Sequence, residues 1–152
     1  MTKRTKKYRP RQAGDVLLKT QPWRLKAMFD PLESIVRQLE QDGTMDIAGN
    51  GTPIFQDHND REHWYETHVA LIGVCEAFEL SSERTGRPLD MTSLRQLANK
   101  MQYHMPIFEA DTRACWACFA EMRRECMGMT VSYAQDLIQV IRIREELKRV
   151  AI

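Results

Sequence analysis

The sequence predicts an all-α fold: a bundle of about five helices behind a flexible basic N-terminal arm, with room for one small β-hairpin. Three observations predict it. Apolar residues recur three or four positions apart through most of the chain, the spacing of a helix face turned toward a core. Each such stretch is bounded by capping residues, glycine or proline. Only between Gly43 and Asn59 does the period change.

The chain opens with MTKRTKKYRPR, in which Lys3, Arg4, Lys6, Lys7, Arg9 and Arg11 are interleaved with Tyr8 and Pro10. Mutual repulsion and scarce apolar content predict that residues 1–12 are disordered when alone. Residues 13–152 are then a single helical domain. From Ala13 to Met28 there is no clean period, and Trp23, Leu25, Met28 and Phe29 are large enough to lie across the domain as a lead-in strap.

The first helix is expected to start at Asp30, a natural cap, with Pro31 at the first helical position and Glu33 reaching back to the cap. Leu32, Ile35, Val36 and Leu39 give it one apolar face, and Asp42-Gly43 ends it. In TMDIAGNGTPIF (Thr44–Phe55), Asn50-Gly51 between β-favouring stretches suits a two-residue hairpin turn. Pro53 lacks a ladder donor and has to lie on an edge, so an irregular loop competes with the hairpin.

Asp60 can cap a long second helix to about Glu83, with Trp64, Leu71, Cys75 and Phe78 at helical spacing and Ile72 alongside; Thr85-Gly86-Arg87-Pro88 terminates it. A third helix starts near Thr92 or Ser93, turns Leu94, Leu97, Ala98 and Met101 inward and ends before Pro106. A fourth, from about Ile107 to Met127, carries Cys115, Phe119, Met122 and Cys126 on one face, and Gly128 breaks it. Ser132 with Gln135 forms a capping box for a fifth, whose inward residues are Tyr133, Leu137, Val140, Ile141 and Leu147.

The 152 residues are 43% hydrophobic and 28% charged, an ordinary globular composition, and a chain of this length buries about 70% of its unfolded surface without disulfides or a structural metal. Fibrous and wholly disordered classes are excluded. The apolar run Val69–Cys75 is far shorter than the ~20 residues of a membrane span. The basic start lacks the apolar segment of a signal peptide, so a cytoplasmic protein is expected. The net charge of +1 hides an asymmetry: the first 26 residues hold nine of the 22 Lys and Arg and one of the 21 acids. A basic arm of this kind can follow a phosphate backbone, with Tyr8 stacking on a base. It can also fold back on the acidic body, remain a solvated tail or meet an acidic protein.

Two constellations invite a chemical reading. Cys115-Trp116-Ala117-Cys118 is a CxxC, yet it lies inside an apolar stripe, and Cys126 stands eight residues beyond rather than in a second pair. Buried structural cysteine is the expected role, and all four cysteines are expected reduced in a cytosol. Between Asp57 and His68 stand His58, His63 and His68 with several acids; on a helix His63 and His68 point about 140° apart, so a polar helix start is expected rather than a metal site. His104 is expected at a helix end. No nucleophile elbow and no phosphate-cradling loop is present, so no catalytic residue, metal or cofactor is assigned.

KKYRPR (Lys6–Arg11), DPLESIVRQLEQDGT (Asp30–Thr44) and LRQLANKMQYHMPIFEAD (Leu94–Asp111) resemble, in style and order, a group of small uncharacterised proteins carried by phages and other mobile elements of proteobacteria. The resemblance brings no activity, cofactor or catalytic residue. It implies a regulator, or a small protein that binds and diverts a host machine. The expected function is therefore a non-enzymatic accessory protein that binds nucleic acid or a nucleoprotein complex through Lys3, Arg4, Lys6, Lys7, Tyr8, Arg9 and Arg11. The alternative is an interaction module or inhibitor that binds a host protein through its helical body, and nine methionines suit such an adaptable surface.

Overall fold

A computed structural model describes residues 16–57 and 60–150, except for the side chains of residues 56–65 and of 149 and 150. The basic arm, residues 1–12, lies outside the described residues. The described chain begins as a short extended strap: Leu17 bridges Thr130, the Leu18 amide donates to the Met129 carbonyl, and a 3-10 turn covers Leu18–Thr20. Five α-helices follow among the described residues: α1 (Pro22–Asp42), α2 (Thr67–Thr85), α3 (Thr92–Gln102), α4 (Glu109–Cys126) and α5 (Val131–Val150). Between α1 and α2 lies a three-stranded antiparallel meander, β1 (Asp46–Ile47), β2 (Pro53–Asp57) and β3 (Asp60–Glu66), with β2 in the middle.

The helical bundle is as expected, and its inward faces follow the period. Leu32, Ile35, Val36 and Leu39 of α1, Leu71, Cys75 and Phe78 of α2, all four expected residues of α3, and Cys115, Phe119, Met122 and Cys126 of α4 are buried in one core. Gly43 and Gly86 close α1 and α2 with φ of 70° and 71°, the left-handed conformation that glycine adopts without a Cβ clash.

Four boundaries differ from the sequence expectation. Helix α1 begins at Pro22, which takes the first-turn position, and Pro31 sits inside it. The bond lost at Pro31 belongs to the carbonyl of Ala27, an exposed residue that water can serve. Of the expected strap, Trp23, Leu25, Met28 and Phe29 are thus helical. Residues 60–66 are strand rather than the start of α2, because Phe55 pairs with Tyr65 and Ile54 with Glu66, and this cross-strand pairing outweighs the capping signal of Asp60. The β1–β2 connection is the five residues 48–52, not a two-residue turn: the Ala48 amide donates to the Thr52 carbonyl, the Gly51 amide donates to the Ala48 carbonyl, and Gly51 has a φ of 84°. Pro53 opens the middle strand, where its missing donor is tolerated at the first residue. Finally, Thr130 caps α5 in place of Ser132, its hydroxyl accepting from the Tyr133 amide at 3.1 Å.

Candidate functional site: a basic surface at the chain's entry and an apolar groove

The strap fixes the start of the described chain. Val131 donates its amide to the Val16 carbonyl at 2.9 Å, and Leu18 is buried. Immediately after the strap come Lys19, Trp23, Arg24 and Lys26. Trp23 is 62% exposed, and the Arg24 guanidinium lies 4.4 Å from its ring centroid, held there by donating to the Gln21 side-chain carbonyl. Trp23 and Lys26 stand three residues apart, so they are surface neighbours on α1.

Most of the described cations of the body are paired. Arg37, Arg84, Arg87, Arg95, Lys100, Arg113, Arg123 and Lys148 each face an Asp or Glu partner within ion-pair distance. Several of these pairs tie elements together: Arg84 with Asp136 joins α2 to α5 at 2.6 Å, and Lys100 with Asp111 joins α3 to α4 at 2.7 Å. Lys19, Arg24 and Lys26 have no ion pair among the described residues, nor do Arg124, Arg142 and Arg144. A cation without an ion pair is open to an external anion, although Lys26 shares a surface groove with Asp30, Asp42 and Asp46.

Helices α2 and α5 leave between them an open groove of about 490 Å³. Ala70, Gly73, Val74 and Ala77 of α2 form its small-residue wall, Ile138 and Ile141 of α5 the other, and Met28 and Met129 one end. Val69 and Ile138 are exposed within it, while Arg142 and Glu145 stand at its rim. Leu147, expected inward, lies on the exposed C-terminal turns of α5.

The two constellations with chemical promise resolve unequally. Cys75, Cys115, Cys118 and Cys126 are buried and unpaired in disulfides. The Cys115 thiol donates to the Ser93 carbonyl and the Cys118 thiol to that of Asp90, each at 3.7 Å, and Cys118 also packs on the sulfurs of Met91 and Met122. Burial pushes the thiols of Cys75, Cys115 and Cys126 up to about 12 and that of Cys118 to about 11. Such thiols hold almost no thiolate at neutral pH and are poor nucleophiles and ligands. Of the histidine segment, His58 and the His63 side chain lie outside the described residues; His68 is half-buried in the first turn of α2. Among the described residues no group of three or more His, Cys, Asp or Glu is placed to hold a metal ion. His104 follows α3 with a φ of 52°, an exposed left-handed residue at the helix end. No helix among the described residues is long and apolar enough to cross a membrane.

The arm residues named from sequence, Lys3, Arg4, Lys6, Lys7, Tyr8, Arg9 and Arg11, lie outside the described residues. Trp23 and the α2/α5 groove escaped sequence reasoning. The sequence suggests an apolar strap for Trp23, and the groove is a relation between two helices that no single periodicity encodes. Compared with known protein families, curated proteins and solved structures, the chain matches none.

Proposed function

We propose that this chain is a non-enzymatic accessory protein, of the phage or mobile-element kind it resembles, that holds nucleic acid or a nucleoprotein complex through its N-terminal region. One observation carries the reading. The body ties most of its own cations into ion pairs, Arg124, Arg142 and Arg144 excepted, whereas Lys19, Arg24 and Lys26, which follow the arm in sequence, all have none among the described residues. Lys3, Arg4, Lys6, Lys7, Arg9 and Arg11 contribute phosphate contacts, and Tyr8 a stacking contact. The test is fluorescence anisotropy with DNA and RNA at two salt concentrations, comparing the full chain with a variant starting at Gln12. Salt-sensitive binding that weakens with the arm's removal is expected, and equal binding by both forms contradicts the arm's role.

The groove between α2 and α5 favours a second reading, in which the body binds a host protein. A partner retained by the variant starting at Gln12 and lost on Ile138→Lys would assign the activity to the body.

A further inference from the structure

We propose that Trp23 is a stacking platform for an unpaired nucleobase, so that the ligand of the N-terminal region is single-stranded nucleic acid. This rests on the nucleic-acid reading above and narrows it to a strand type. An indole left 62% exposed forgoes most of the stabilisation that burying its large surface would give. Its position is set rather than loose. It occupies the first turn of a 21-residue helix whose preceding strap is bonded to Met129 and Val131. Arg24, itself anchored on Gln21, covers one face of the ring at 4.4 Å and leaves the rest of the indole to solvent.

The chemistry around the ring selects the ligand. Lys26 stands beside Trp23 on the same exposed face and Lys19 in the turn before it, both without an ion pair among the described residues. A ligand that satisfies this surface must present an aromatic face and a negative charge a few ångströms away, repeatedly, since residues 3–11 add six more cations. A polynucleotide does both. In a duplex the base faces are stacked on one another and hidden, whereas a single strand offers them to an aromatic side chain. Arg24 on the indole adds a cation to the platform, as in other aromatic sites that bind single strands.

The test uses the full chain with its arm intact and three fluorescein-labelled probes at one salt concentration: an oligo(dT), an abasic oligomer of equal length, and a duplex. The native chain is expected to bind oligo(dT) more tightly than the other two. Trp23→Ala is expected to weaken oligo(dT) about tenfold and leave the abasic probe unchanged, while Trp23→Phe keeps most of the affinity. Circular dichroism checks that the Ala variant keeps its helix content. Oligo(dT) affinity unchanged in Trp23→Ala, with loss in Lys19→Gln/Lys26→Gln, overturns the inference and leaves the nucleic-acid reading standing. Equal weakening of all three probes by Trp23→Ala also overturns it. No binding of any probe by the native chain removes both.

Discussion

The amide of Val131 donates to the carbonyl of Val16 at 2.9 Å, so the start of the described chain is bonded to the first residue of its last helix. With the Leu18 amide on the Met129 carbonyl and Leu18 only 2% exposed, this strap belongs to the core rather than to the arm. Truncation should therefore have two regimes. A variant starting at Gln12 keeps the strap and is expected to melt within about 2 °C of the full chain, because changes that leave the described core intact move stability by only about 0.5 kcal/mol. A variant starting at Gln21 loses Leu18 and both bonds and is expected to lose about 2–5 kcal/mol. Thermal melts of the two variants check this, and equal melting would show that the strap does not hold α5.

The arm's contribution to binding is measurable without knowing the site. Each cation that neutralises a phosphate of a single strand steepens the fall of log K with log salt by about 0.7. If the six cations of residues 1–11 all engage, their removal reduces the slope by roughly 4. Lys6→Gln/Lys7→Gln removes two and should reduce it by roughly 1.4. A slope unmoved by the double variant would place the contacts elsewhere, on Lys19, Arg24 and Lys26.

Glu33 is the one acid in the core of the described structure, 7% exposed, and it joins α1 to α4 through Arg123, which also lies over the Phe29 ring at 4.5 Å. Arg37, one turn along, adds a second pair at 3.4 Å. Removing the carboxylate strands Arg123 beside the ring, although its side chain is 42% exposed and can turn to water. Glu33→Ala is accordingly expected to cost about 1–3 kcal/mol, short of the loss for a fully buried pair. Arg37→Ala, removing an exposed partner, should cost less than about 1 kcal/mol. Urea denaturation of both variants measures the difference, and an equal loss would mean that Arg37 rather than Arg123 is the partner that counts.

What the sequence made legible was whatever a single element encodes. The apolar faces of α3 and α4 follow directly from a 3.6-residue period, and Gly43 and Gly86 end their helices where a left-handed residue is needed. The start of α2 was misread because Asp60 is a good cap, while the pairing that makes residues 60–66 a strand is supplied by β2. Leu147 was misread for a related reason: its period is right, but the last turns of α5 leave it exposed. The candidate site divides in the same way. The charge of the arm is a local count, whereas the exposure of Trp23 depends on α1 beginning nine residues before Pro31, and the groove depends on how α2 and α5 cross.

The buried thiols give the fold a pH dependence of predictable sign. In the unfolded chain a thiol ionises near its ordinary value of 9.0, while in the fold burial raises Cys75, Cys115 and Cys126 to about 12. Below pH 9 both states are protonated and the thiols contribute their full packing. Above it the unfolded state gives up protons that the native state retains, so stability falls as pH rises from 9 toward 12. Each thiol contributes to that fall, on the order of 1 kcal/mol per pH unit. Melting temperature is expected to hold between pH 7 and 8.5 and to decline above pH 9, with the decline reduced in Cys126→Ala relative to its own value at pH 7. The same burial predicts that a thiol-specific disulfide reagent at pH 8 reacts with none of the four cysteines in the native protein within minutes, and with all four in urea. Rapid native reaction of Cys118, whose thiol is raised least, to about 11, would locate an opening of the α3–α4 contact.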